Sequence, residues 1–330
     1  MTGTSRSLLA ASGALGLALV AVTWVALSVG PDGFHPEELG LLLGAAAPDD
    51  IRPAILLKLR LPRCLMAMLA GAGLSCSGLV MQALLRNPLA EPYILGVSGG
   101  AALGAIAGLV WCLALGASMT AAFAGGMLSL LLVLALARGR DTAFRGTLLL
   151  SGVMVNALCS ALILFALSMV PGHEASRVLF WIMGNVPSPA PSALLLAAGV
   201  VGAGLLALFL LSQRLNLLAM GADCARSLGI DAGRTAILLL TITTTIVSAI
   251  VSQTGLLGFI GLVVPHALRK VLGADHRVLV PACALGGAAF MVLCDTLARV
   301  IPNTGELPVG VLTAMIGAPL FMFLLWRSPR

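Results

Sequence analysis

The sequence predicts an all-α polytopic membrane protein of about ten transmembrane helices, with both termini cytoplasmic. Three observations carry this. Of 330 residues, 59% are hydrophobic and 10% charged, whereas a soluble globular chain carries roughly 25% charged residues to solvate its surface. Apolar stretches of roughly 20 residues recur, the length that crosses a hydrocarbon core about 30 Å thick. The basic residues lie between these stretches and are biased to one side. Length alone admits two soluble domains, but no segment is polar enough to form one. Residues 1–330 therefore read as a single transmembrane domain.

Nine stretches have spanning length: Leu8–Val29, Cys64–Leu85, Leu95–Leu115, Met119–Ala137, Thr147–Val170, Ser192–Leu211, Ala236–Val251, Val278–Ala298 and Val309–Trp326. A further segment, Gly255–Pro265, is too short to cross as a straight helix and carries Gly255, Gly258 and Gly261. Broken helices survive in a membrane only where protein or a cavity satisfies their backbone, so it reads as a tenth, irregular crossing. The first stretch follows Arg6 and is about 22 residues long, which favours a retained anchor over a cleavable signal. On the third span, Gly96, Gly100, Gly104 and Gly108 recur every four residues and form a ridge for close helix packing.

With both ends inside, only six of the 19 Lys and Arg fall outside: Arg52, Lys58, Arg60, Arg63, Arg177 and Arg299. Four of them crowd the end of the first external loop, against the positive-inside bias. The net charge of +6 thus describes orientation in a bilayer and not nucleic-acid binding.

Several chemistries are missing. No phosphate-cradling G-x-x-x-x-G-K-[ST] loop exists, and the two lysines are Lys58 and Lys270. The four histidines are far apart in sequence, and no paired-carboxylate or H-E-x-x-H motif appears. The seven cysteines contain no C-x-x-C pair and read as small buried thiols. No metal site and no cofactor bound directly to the chain are expected. An ion-coupled secondary transporter places ionisable residues in its spans. Asp295 alone clearly qualifies, and Arg299 stands at i+4 on its helical face. That carrier is the alternative reading.

Four stretches go further. They are Leu59-Arg60-Leu61-Pro62-Arg63; Gln82-Ala83-Leu84-Leu85-Arg86-Asn87-Pro88-Leu89-Ala90-Glu91-Pro92 leading into Leu95–Ala101; Gly221-Ala222-Asp223-Cys224-Ala225-Arg226-Ser227-Leu228-Gly229; and Gly258–His266, followed by Asp275-His276-Arg277, Glu306–Gly310 and Gly317–Pro319. Together, from about Leu59 to Trp326, they resemble the permease family of ATP-binding-cassette importers for iron-siderophores, haem and cobalamin.

The resemblance implies two copies of a ten-helix subunit around a central pathway in the bacterial inner membrane. It also implies two cytoplasmic ATPase subunits holding ATP and Mg, and a periplasmic binding protein that delivers the chelate. The loop at about 213–235 is then the coupling segment, with Gly221, Ala222, Ala225, Arg226, Leu228 and Gly229 against the ATPase. Arg60, Arg63 and Arg299 match the positions that dock acidic residues of the binding protein. The cytoplasmic gate is expected near Arg145, Gly146 and Thr147, and the pathway along Met154 and Asn156. Arg177, Trp181 and Met183 are expected near its outer end, where they would meet substrate.

Overall fold

The computed structural model describes residues 2–30, 33–34, 52–110, 115–137, 144–169, 171–302 and 305–326. Helix α1 (Thr2–Ser28) ends in a two-residue antiparallel pairing of β1 (Val29–Gly30) with β2 (Gly33–Phe34). A short α2 (Arg52–Ile55) and a wide π turn, Leu56–Arg60, lead without a break into α3 (Leu61–Leu85). Arg52, Lys58 and Arg60 are therefore on helical turns and not in a loop, a correction to the sequence reading. Then follow α4 (Val97–Val110), α5 (Leu115–Leu136), α6 (Phe144–Met169), α7 (Gly172–Met183) and α8 (Pro191–Leu210). The remainder comprises α9 (Ser212–Met220), α10 (Ala222–Ser227), α11 (Ala232–Thr254), α12 (Ile260–Leu272), α13 (His276–Val300) and α14 (Val309–Trp326).

Among the described residues seven helices are long and apolar enough to cross a membrane: α1, α2–α3, α5, α6, α8, α11 and α13; α4 and α14 are shorter apolar helices. This is a multi-pass membrane protein. Burial separates two layers. The α2–α3, α11 and α13 spans are mostly buried inside the protein, while α1, α5, α6 and α8 turn most of their surface outward. Such outward apolar surface is what lipid or a second subunit covers.

Helix α3 is the axis of the inner layer, and glycine sets its packing. A Cβ at Gly71 would strike the carbonyl of Gly287 on α13, and one at Gly78 would strike Gly261 on α12. The backbones approach with nothing between them. The predicted ridge on α4 behaves likewise, with Gly100, Gly104 and Gly108 against Gly125, Ala121 and Ser118 of α5. Gly96 departs from that reading: it lies before the helix in a left-handed turn, φ +72°, and faces Val155 and Asn156 of α6.

The break after α11 is real, and neighbouring segments satisfy its backbone. The Leu257 N–H donates to Tyr93 Oη at 3.1 Å, and that hydroxyl donates to the Leu257 carbonyl at 3.1 Å. The Phe259 N–H, at a left-handed φ of +67°, donates to Glu91 Oε1 at 2.8 Å. Contrary to expectation, Pro265 does not end the segment: α12 continues through it to Leu272. Proline has no N–H for the carbonyl four residues back, which is that of Gly261. Gln82 Nε2 supplies the donor instead, 3.3 Å from the Gly261 carbonyl and 3.3 Å from that of Leu262.

Candidate functional site

Two polar clusters stand at opposite ends of the α3–α13 pair. The first is at the end where α3 begins and α13 finishes. Arg63 Nε lies 2.9 Å from Asp295 Oδ1, and Arg299 Nε lies 3.2 Å from Asp295 Oδ2. Arg63 also grips Glu306 with Nη1, at 2.8 and 3.0 Å from its two oxygens. Asp295 is 1% exposed, so one buried carboxylate is shared by two guanidinium groups. Breaking such a pair leaves an uncompensated buried charge. The i+4 pairing of Asp295 with Arg299 is as the sequence indicated.

The end of α1 completes the cluster. Arg299 Nη2 donates to the Ala26 carbonyl at 3.3 Å, and Arg60 Nη1 donates to the Leu27 carbonyl at 3.2 Å. The last carbonyls of a helix lack partners within it and form the negative end of its dipole. Cations belong there, so these arginines have a role within the fold whatever else they bind. Among the described residues, Asp295 and Glu306 are the carboxylates that face Arg63 and Arg299. Arg63 Nη2 is buried and unpartnered, and the Glu306 side chain beside it is 46% exposed.

The second cluster is at the far end of the same helices. The loop at about 213–235 is largely helical: α9, a turn at Gly221, α10, then Leu228–Gly229. Gly221 is buried at φ +146°, and a Cβ there would lie 2.7 Å from Arg86 Nη2. Ala225 is fully buried, whereas Arg226, Leu228 and Gly229 are exposed and Ala222 is half-buried. Arg226 Nη2 pairs with Asp223 Oδ1 at 3.0 Å on the exposed side. The small residues thus seat the segment on the body and present Arg226 and Leu228 outward. Arg86 Nη2 donates to the Leu218 carbonyl at 3.4 Å, and Asn216 Nδ2 donates to Asp275 Oδ1 at 2.9 Å. Asp275 titrates at about 2, held down by the Arg277 guanidinium and further by Asn216 and the Arg277 N–H, against partial burial.

The remaining predicted residues are spread along α6 and α7. Arg145 lies in the first turn of α6, with its side chain outside the described residues. Gly146 is exposed and Thr147 half-buried. Met154 is on the outward face of α6 with Leu150, Val153 and Leu158. Asn156 turns the other way, and a Cβ at Gly99 would lie 2.7 Å from its Oδ1. Asn156 is half-buried there, between α6 and α4. Arg177 is exposed on α7, while Trp181 and Met183 are half-buried. The carbonyls of Trp181 and Met183 face Gly255 and Gly310 respectively, so α7 closes on the broken segment and the start of α14.

Comparison with known proteins decides the class. The model of the FecCD transport family matches residues 18–327. The chain belongs to the FecCD transport family. It is 42% identical over 81% of its length to the cobalamin import system permease protein BtuC of Halobacterium salinarum, covering 72% of that protein. It is 38% identical to the hemin transport system permease protein HmuU of Yersinia pestis, over 83% of this chain and 84% of that one. A solved structure described as an inward-facing conformation of a metal-chelate type ABC transporter superposes with a TM-score of 0.87. It is 30% identical and covers 96% of this chain and 99% of its own. PsaBC from Streptococcus pneumoniae, at TM-score 0.58 and 18% identity, shares the fold alone.

In this FecCD chain, sequence reasoning missed three site residues. In the sequence Glu306 is one letter of the Glu306–Gly310 motif, and its contact with Arg63 closes across 243 positions. Asn216 sits in an unremarkable polar stretch, and no pattern pairs it with Asp275. Glu91 is likewise one letter of a motif in the sequence, and only the fold sets it against the Phe259 N–H. Among the described residues no group of three or more His, Cys, Asp or Glu is placed to hold a metal.

Proposed function

We propose that this chain is the permease subunit of an ATP-driven importer that carries a metal-chelate nutrient of the cobalamin or haem type from periplasm to cytoplasm. The carrying observation is the family match over residues 18–327, joined to cobalamin and hemin permeases as relatives. Two copies form the pathway in the inner membrane, each with ten crossings: the seven long helices, α4, α14 and the broken crossing ending in α12. Both termini are cytoplasmic.

The chain itself neither binds nor hydrolyses ATP. Two ATPase subunits, carrying ATP and Mg, seat against the segment Gly221–Gly229, where Arg226 and Leu228 are exposed. A periplasmic binding protein docks its acidic residues on Arg60, Arg63 and Arg299. The place of the three arginines together at one end of the α3–α13 pair, with the Leu59–Arg63 motif, supports this. The gate lies near Arg145, Gly146 and Thr147, the pathway follows Met154, and Arg177, Trp181 and Met183 approach the chelate. The outward apolar face of α6 supports a pathway or subunit contact there.

The test uses affinity-tagged chain expressed in its native host. Recovery of an ATPase with the wild type, and its loss or uncoupling in Arg226→Glu, is the expected result. Wild-type chelate uptake by Arg226→Glu contradicts the coupling assignment.

A further inference from the structure

Among the described residues two polar ties hold α9 to the body of the protein, and both run to the same pair of helices. Asn216, half-buried on α9, commits both ends of its amide. Nδ2 donates to Asp275 Oδ1 at 2.9 Å, and Oδ1 accepts the His276 backbone N–H at 2.9 Å and stands 2.6 Å from His276 Nδ1. With Oδ1 as the acceptor, the imidazole proton belongs on Nδ1. The other tie is Arg86, immediately after α3, to the Leu218 carbonyl. A polar side chain on a short helix at the protein surface ordinarily ends on water; here it ends on the first residues of α13.

Asp275 and His276 open α13, and Arg86 closes α3. The opposite ends of these two helices are joined by Arg63 and Asp295, 2.9 Å apart. Between the ends, the Gly71 and Gly287 backbones touch. Packed contacts of this kind shift between discrete arrangements and do not deform continuously. The α3–α13 pair is thus closed at one end by an ion pair, in its middle by backbone contact, and at the other end by α9.

We propose that Asn216 is a positioning residue of the transport cycle. It fixes the ATPase-facing segment to α13, so that the α3–α13 pair carries displacement as one body between that segment and the arginine cluster. The inference rests on the reading of Gly221–Gly229 as the coupling segment. Spatial continuity alone establishes no coupling, and a purely structural Asn216 would change thermal stability only. The discriminating quantity is therefore a ratio of activities.

The experiment takes the complex as it co-purifies with its ATPase, in nanodiscs, and measures the ratio of hydrolysis with binding protein to hydrolysis without it. Asn216→Ala is expected to lower that ratio at least about fivefold, the lower end of ordinary coupling between sites. Asp275→Ala, which strips the tie from the other side, does the same, and the double variant adds nothing. Asp275→Asn keeps the acceptor for Asn216 Nδ2 and retains the ratio. Where Asn216→Ala fails to insert, Asp275→Ala decides in its place. An unchanged ratio in either alanine variant, whatever its thermal midpoint, overturns the proposal. A wild-type complex that retains no ATPase overturns the coupling reading itself, and this inference with it.

Discussion

Arg63 and Asp295 are 232 positions apart in sequence and 2.9 Å apart in the structure. Asp295 also holds Arg299, so removing its charge leaves two guanidinium groups near the end of α13 without their shared partner. Removing one partner of a buried ion pair costs about 3–5 kcal/mol. Asp295→Asn is expected to lower the thermal midpoint of the purified chain sharply, with Asp295→Glu in between. An Asp295→Asn midpoint equal to wild type would mean that the cluster contributes nothing to the fold.

An acidic partner docking at Arg63 as proposed would compete with Glu306 for Nη1. Glu306→Gln releases Arg63 Nη1 from its ion pair while Nε stays on Asp295, and is expected to tighten binding-protein affinity several-fold, whereas Arg60→Glu and Arg63→Glu weaken it. These differences shrink with added salt, since screening already acts over about 8 Å at 0.15 M. Titration in nanodiscs at two ionic strengths checks this. Weaker binding by Glu306→Gln would show that Glu306 belongs to the docking surface and does not compete with it.

Gly71 has no room for a side chain, because a Cβ there meets the Gly287 backbone. Overpacking of a filled interior costs about 1–3 kcal/mol and more where backbone must move. Gly71→Leu is expected to fail as a monodisperse preparation and Gly71→Ala to lose thermal stability. Gly199 on α8, with nothing within 4 Å of a Cβ, is the control; Gly199→Ala is expected to be neutral or stabilising by up to about 1 kcal/mol.

Asp275 titrates at about 2 because of the Arg277 guanidinium first, then Asn216 and the Arg277 N–H. A carboxylate depressed below its unfolded value of about 3.9 adds stability that is fully present above that value. The contribution is lost as pH falls through about 2. Wild type is therefore expected to exceed Asp275→Asn by a constant margin between about pH 5 and about pH 8, and to converge on it in acid. A margin that varied across neutral pH would assign the linkage to another group.

The apolar stretches, the i+4 pair Asp295–Arg299 and the break at Gly255 were legible in the sequence, because each is local: composition, helical spacing, or glycine and proline placement. What was not legible depends on chain segments that meet only in the fold. Pro265 looked like a terminus because its own carbonyl debt is local, while Gln82, which satisfies the Gly261 carbonyl, lies on another helix. Arg60 and Arg299 looked misplaced outside because the carbonyl ends of α1 cannot be assigned to them from sequence. The proximity of Asn156 on α6 to Gly99 on α4 is likewise a contact between helices that no local pattern shows.

Import as proposed here is driven by ATP that a separate subunit hydrolyses. The most direct measurement is accumulation of labelled cyanocobalamin and haemin in proteoliposomes that hold the chain with its co-purified ATPase, with MgATP on the ATPase side and binding protein on the other. Uptake of one of the two chelates is expected to require MgATP, the ATPase and the binding protein together, and to be indifferent to collapse of the proton gradient. Uptake by the chain alone, driven by a proton gradient without ATP, would contradict it and establish an ion-coupled carrier.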